Sequence, residues 1–277
     1  MTPDQYCQEK AAASGSSFYY SFRALKPEVR AGITAFYALC RELDDVVDEC
    51  SDPQVARIKL AWWRTELARL YEDHPEHPVT QALLPMVRSR NIPREWLEEI
   101  VEGMEMDLDQ QRYEDYKSLL LYCHRAAGVV GQVAAEIFGY RNHETLKYAH
   151  ELGLAFQLTN IIRDVGEDAR RGRIYLPLAE LDQFGVKPAE ILNRRHSERF
   201  EKLMQFQHRR AAEAYERALA WLPKEDRKAQ RAGLAMAAIY RTLLEEIRRD
   251  GFRVLDGKTS LTPLRKLWLA WKAMTFA

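Results

Sequence analysis

Phe36-Tyr37-Ala38-Leu39-Cys40-Arg41-Glu42-Leu43-Asp44-Asp45-Val46-Val47-Asp48 carries two patterns at once. With Ile33 just upstream, Phe36, Tyr37, Cys40, Leu43 and Val47 recur at i, i+3, i+4, i+7, i+10 and i+14. That is one apolar stripe along an amphipathic helix. Leu60, Trp63, Leu67 and Leu70 form a second stripe, and Leu152, Ala155, Phe156, Thr159 and Ile162 a third. Ala211 to Trp221 and Leu234 to Ile247 extend the pattern. Period-two alternation is confined to Arg173-Ile174-Tyr175-Leu176-Pro177, where proline ends it. Only 13 glycines and 11 prolines interrupt 277 residues, which favours long helices over tight turns. The spacing predicts an all-α protein of about ten helices with no linker dividing it.

The second pattern is acidic. Asp44 and Asp48 stand four residues apart, so on a helix they share a face about 6 Å apart along the axis. Asn160-Ile161-Ile162-Arg163-Asp164-Val165-Gly166-Glu167-Asp168 repeats the device, with Asn160, Asp164 and Asp168 at i, i+4 and i+8. Like charges at this spacing destabilise a bare helix, so a positive group is expected between them. Oxygen donors without histidine or cysteine suit Mg²⁺ rather than zinc. Two such helices face to face would hold roughly two or three Mg²⁺ ions around a diphosphate. Arg41 and Arg163, each beside an acidic cluster, would add bidentate contacts to phosphate oxygens. A single pair of this kind is most often a solvated helix face. On spacing alone, metal site and solvated face both stay open.

Charge balance excludes some partners. Lys and Arg number 41, as do Asp and Glu, so no basic surplus points to nucleic acid. Cys7, Cys40, Cys50 and Cys123 form no CxxC pair, which fits a reducing compartment better than a disulfide framework or a zinc module. The stretch MTPDQYCQEK has no secretory pattern, and no run of about 18 apolar residues suggests a membrane span. A cytoplasmic protein is expected.

The two acidic segments, each with its apolar flank, are long and specific. Phe36–Asp48, Leu152–Asp168 and the tail Gly172-Arg173-Ile174-Tyr175-Leu176-Pro177 resemble the squalene/phytoene synthase family of head-to-head prenyl transferases. The similarity runs from about Ser14 to about Lys266. Ser14-Gly15-Ser16-Ser17-Phe18-Tyr19-Tyr20-Ser21-Phe22 and Gly103-Met104-Glu105-Met106-Asp107-Leu108 look like the bacterial presqualene diphosphate synthases of hopanoid pathways. One departure is Ser14, where some relatives carry histidine.

The resemblance implies an isoprenoid-synthase-type helical bundle around a deep central cavity, a single trans-isoprenyl diphosphate synthase domain over 1–277. It implies Mg²⁺ bound by Asp44, Asp48, Asn160, Asp164 and Asp168. Tyr37, Arg41, Tyr122, Arg163 and Tyr175 would act at the reacting centre. Ser17, Phe18, Arg41, Gln157, Arg163, Tyr240 and Lys258 would bind substrate. The implied reaction joins two farnesyl diphosphates to presqualene diphosphate without NADPH, in squalene or hopanoid biosynthesis, with downstream pathway enzymes as further partners. Phytoene or dehydrosqualene synthesis is the alternative within the family, and a non-catalytic helical assembly factor is the alternative outside catalysis.

Other residues carry smaller expectations. Phe18, Phe22, Val129, Val130, Ala134, Leu154 and Phe156 are candidate cavity walls. Gly128, Gly131 and Gly153 admit either a substrate chain or a close helix. His74, His77, His124 and His143 are expected at the surface, unpaired. Cys40 is expected as packing rather than as a nucleophile. Arg170-Arg171-Gly172-Arg173 is read as solvated surface, with a flap beside the diphosphate as the alternative. Leu264, Leu267, Trp268, Trp271 and Met274 form a C-terminal stripe expected to dock on the domain, with peripheral contact at the inner face of the membrane as the alternative.

Overall fold

The cleft between Asp44 and Asp164 is built by two long helices that never adjoin in sequence. The computed structural model describes residues 1–14, 21–22 and 25–275. In chain order the helices are α1 (Pro3–Ala13), α2 (Pro27–Glu49), α3 (Pro53–Tyr71), α4 (Pro78–Arg90), α5 (Arg94–Asp109) and α6 (Tyr116–Cys123). A π-helical turn (His124–Gly128) leads into α7 (Val129–Phe138), followed by α8 (Glu144–Arg170), α9 (Leu178–Gln183), α10 (Pro188–Leu192) and α11 (Glu198–Trp221). The chain ends in α12 (Arg231–Arg249) and α13 (Pro263–Thr275). Among the described residues there is no strand. The alternating segment around Ile174 makes one isolated parallel bridge to Arg112.

The local signals act as the chain's punctuation. Pro3, Pro27, Pro53, Pro78 and Pro188 stand in the first turns of their helices, where a missing N–H costs nothing. Asp52, Asp115 and Ser197 accept backbone N–H groups at the starts of α3, α6 and α11. Asn91 adopts the left-handed conformation that ends α4, and α5 begins just past Pro93.

Buried apolar residues form two clusters. One gathers α1 to α5 and the buried face of α7, including Leu60, Trp63, Leu67 and Leu70. The other gathers α8, α11 and α12. Helix α8 packs against α11, α7 and α12, while α2 packs against α1, α4 and α5. Where the clusters meet, an apolar cavity of about 230 Å³ opens, with Phe36 and Ile33 on one wall and Leu152 and Met236 on the other. The glycines are explained by helix contact. A Cβ on Gly131 would strike the Ala149 carbonyl oxygen, and one on Gly153 would strike that of Ala127. Close approach of α7 and the π turn to α8 therefore requires them, although both also line the cavity. Among the described residues no helix is long and apolar enough to cross a membrane.

Asp226 ties the start of α8 to the turn before α12. It is 1% exposed and accepts hydrogen bonds from Arg141 N (2.8 Å), Asn142 N (3.0 Å) and Thr145 Oγ1 (2.7 Å). Burial alone would raise its pKa, but the bonds from Thr145, Asn142 and Arg141 outweigh it and hold the carboxyl below its ordinary value. This stabilisation is complete above the unfolded-chain value of about 4 and is lost as pH falls through the lower folded value. Asp226→Ala is expected to cost about 2 kcal/mol at pH 7, because buried donors lose their acceptor. Urea unfolding at pH 7 and pH 3 checks this. The gap to the parent should shrink at pH 3, and a gap that widens on acidification would contradict it.

Candidate active site

Helix α2 presents Tyr37, Cys40, Arg41, Asp44 and Asp48 toward the cleft, and α8 presents Gln157, Asn160, Arg163, Asp164 and Asp168. Tyr37, Cys40, Phe156, Gln157 and Asn160 line the apolar cavity from the two sides. The acids lie at its polar end, where among the described residues each except Asp168 has a counter-ion. Arg41 donates to Asp44 (2.5 Å) and Asp45 (2.6 Å). Arg171 reaches across from the end of α8 to Asp48 at 2.6 Å, with Arg173 at 3.5 Å. Arg163 grips Asp164 through two bonds (2.8 and 2.5 Å), and Lys258 lies 3.1 Å from the same carboxylate and 3.0 Å from Glu167.

The electrostatics follow from burial and from who has a partner. Burial pushes Asp44 up to about 6; Arg41 opposes this, while Asp48, Asp45 and Asp107 add to it. Burial also pushes Asp168 up to about 7, reinforced by Asp164 and Glu167 against the pull of Arg173. Asp164 is likewise penalised by burial, but Arg163 and Lys258 outweigh that and hold it below the ordinary carboxylate range. The site is thus short of positive charge at Asp44 and Asp168.

That shortage fits a divalent cation. Magnesium takes oxygen ligands, commonly one or two carboxylates, and completes its shell with water and phosphate. The donors available are carboxylates and one amide. Asn160 Oδ1 is buried with no hydrogen-bond partner among the described residues, while its Nδ2 donates to Gln157 Oε1 at 3.3 Å. A buried acceptor left unpaired is costly, and a cation would satisfy it. Among the described residues no three His, Cys, Asp or Glu side chains close on a single point. A cation here would draw its remaining oxygens from a phosphate ligand.

A second polar cluster sits beside the acids. Asp107, at the end of α5, accepts from Tyr175 OH (2.6 Å) and Tyr122 OH (3.1 Å), and Gln157 Nε2 reaches Tyr122 OH at 3.5 Å. The rings of Tyr113, Tyr122 and Tyr175 pack with centroids 5.2 to 5.8 Å apart. Burial first, then Asp107, holds the Tyr122 and Tyr175 hydroxyls far above the ordinary tyrosine value, so both phenols stay neutral. Tyr240 bonds to Arg163, and Tyr37 donates to Ser14 Oγ at 3.0 Å.

The residues expected from sequence therefore converge, with Tyr122 and Tyr175 brought in through Asp107. Ser17 and Phe18 lie outside the described residues. Asp107 and Tyr113 were given no site role from sequence, although an aspartate between Met104, Met106 and Leu108 in an apolar helix is the same signal as Asp44. Phe22, Val130, Ala134 and Phe156 line the cavity as expected, but Val129 is core and Leu154 faces a different groove. Cys40 faces the cavity as a neutral thiol, pushed up to about 12 by burial. The Arg170–Arg173 cluster is not free surface, because Arg171 and Arg173 pair with Asp48. Nor is His124 unpaired: its Nδ1 lies 2.9 Å from His150 Nε2 and its Nε2 3.1 Å from Glu99. The π turn brings His124 onto α8, which spacing along either helix does not reveal.

The fold and the facing acidic helices define a protein of the isoprenoid-synthase type. The squalene/phytoene synthase family model matches residues 11–265, and the chain belongs to that family, a family of head-to-head prenyl transferases. It is 37% identical over 262 residues to a phytoene synthase of Mycobacterium tuberculosis, covering 93% of this chain and 86% of the relative. It is 33% identical over 279 residues to a phytoene synthase of Arthrospira platensis, covering 95% and 89%. A dehydrosqualene synthase crystal structure superposes with TM-score 0.88 at 27% identity, covering 99% of this chain and 96% of that one. A squalene synthase of Alicyclobacillus acidocaldarius gives TM-score 0.79 at 26% identity, covering 90% and 94%.

Asp168→Asn removes a half-buried carboxylate that Asp164 and Glu167 repel. In metal-free buffer at pH 8 the variant is expected to be more stable than the parent by about 1 kcal/mol, and Mg²⁺ with inorganic diphosphate should raise its melting temperature less. Thermal melts measure both. A variant less stable without metal would contradict the charge shortage.

Proposed function

We propose that the protein joins two allylic prenyl diphosphates head to head in a Mg²⁺-dependent reaction. The observation that carries this is the opposition of two acidic helices across the polar end of an apolar cavity. Asp44, Asp48, Asn160, Asp164 and Asp168 would hold the metal. Mg²⁺, when bound, neutralises charge growing on the leaving diphosphate. Arg41, Arg163 and Lys258, paired with those acids in the absence of ligand, then turn to the diphosphate oxygens, and Tyr240 orients Arg163. Gln157 bonds toward Tyr122 and so sets the polar rim of the cavity.

In the first half-reaction the C1–O bond of the donor breaks and diphosphate leaves with the electron pair. The 2,3-double bond of the acceptor attacks C1 of the allylic cation. Loss of a proton closes a cyclopropane. Neutral Tyr122 and Tyr175 are poor bases, so the released diphosphate takes that proton while the tyrosine rings and oxygens stabilise the cation. The apolar wall keeps water from quenching it.

Two readings of donor and end point rest on different observations. Two farnesyl diphosphates giving presqualene diphosphate, without NADPH, are supported by the likeness to solved structures named dehydrosqualene synthase and squalene synthase, at 27% and 26% identity. Geranylgeranyl diphosphate giving phytoene is supported at least as strongly, by relatives named phytoene synthase at 37% and 33% identity. A non-catalytic assembly factor would have no use for carboxylates that repel one another in a buried cleft.

Incubation with Mg²⁺ and each diphosphate, followed by product identification, separates these readings. A C30 cyclopropyl diphosphate supports the first and a C40 hydrocarbon the second; no condensation with either donor sinks the proposal. Asp44→Ala and Asp164→Ala should each lower turnover by about 10²- to 10³-fold with the fold retained. Unchanged turnover in either would remove the metal assignment.

A further inference from the structure

Helix α13 docks on the domain, but by the face opposite to the one its apolar stripe predicts. Ala270 is 2% exposed, and Leu269, Ala273 and Met274 pack beside it on the cluster that includes α12. Leu264 (79% exposed), Leu267 (42%), Trp268 (54%) and Trp271 (59%) face outward at i, i+3, i+4 and i+7. Of the stripe expected to dock, only Met274 does. A helix with two apolar faces, one already buried, leaves the second without a partner among the described residues.

The charge around that face selects what covers it. Helix α13 carries no acid; Arg265 and Lys272 lie beside that face, while Lys266 turns inward to the cavity it shares with Arg163. Lys272 Nζ lies 5.2 Å from the centre of the Trp268 ring, so the cation and the indole share one edge of the stripe. Arg265 shares Glu246 (2.9 Å) with Arg249 (3.1 Å), so one carboxylate serves two guanidinium groups. A second copy meeting this face symmetrically would bring cations against cations with no acid on either helix to pair them. Tryptophan and leucine flanked by lysine and arginine match the boundary of an anionic bilayer. There the indoles lie among the headgroups and the cations meet lipid phosphates.

We propose that the outer face of α13 seats the protein on the surface of an anionic membrane. The inference rests on α13 alone and goes beyond the reaction proposed above. The segment entering α13 (Lys258, Thr259, Ser260, Leu261) and Lys266 line a small cavity with Arg163 and Tyr240 on the inner side of the helix, so α13 stands next to the candidate site.

The test is co-sedimentation of the full chain with vesicles of phosphatidylcholine alone and of phosphatidylcholine mixed with phosphatidylglycerol. The parent should bind the mixed vesicles about tenfold or more tightly than the neutral ones. The double variant W268S/W271S should lose about tenfold or more of that binding, and K272E should lose several-fold, both with unchanged melting temperature because the side chains are exposed. Absence of binding to either vesicle, equal binding to both, or unchanged binding in the double variant overturns the proposal. So does a concentration-dependent dimer that the double variant abolishes while the parent ignores vesicles, which assigns the face to a second copy.

Discussion

Carboxylates from two helices meet in a partly exposed cleft, and the site is organised around supplying them with counter-charge. In low dielectric a buried acid must be paired, protonated or bound to a cation. Asp48 and Asp164 are paired, by Arg171 and by Arg163 with Lys258. Asp44 has Arg41 yet is still pushed up to about 6, and Asp168, pushed up to about 7, is the least compensated. The same cations that quiet the acids are the groups a diphosphate needs. The resting site is therefore a set of internal ion pairs that a metal and a phosphate would exchange into two new ones, acids to metal and cations to phosphate.

The helices that carry these groups are held by ordinary packing. Gly131 and Gly153 let the π turn and α7 approach α8 closely, and this fixes one side of the cavity. Tyr6 and Lys10 on α1 bond to Glu42, and Lys10 also bonds to Asp45, so the outer face of α2 is anchored while its inner face presents Asp44. Asp107 braces Tyr122 and Tyr175 from a third direction. Tyr6, Lys10 and Asp107 each lie far in sequence from the groups they hold.

That distance explains what was legible. The stripes of α2, α3 and α8 could be read because helical periodicity is local, and the four-residue spacing of Asp44 with Asp48 and of Asp164 with Asp168 could be read for the same reason. The pairing of Arg171 with Asp48 could not, since it spans from the end of α8 back to α2. Asp107 showed the right signal, an acid in an apolar stripe, but nothing local linked it to tyrosines at 122 and 175. His124 appeared isolated because its partner, His150, lies on another helix. For α13 the periodicity was correct and the inference from it was not. Two apolar faces share that helix, and composition does not say which one meets the core.

The ion-pair exchange at the cleft is tested most directly by titrating inorganic diphosphate into the protein in a calorimeter, with and without Mg²⁺. If acids and cations are released from one another only when metal and phosphate arrive together, diphosphate should bind about tenfold or more tightly with Mg²⁺ present. Asp164→Asn should abolish the difference. Equal affinity with and without Mg²⁺ would contradict the exchange and leave the acidic helices as internal ion pairs alone.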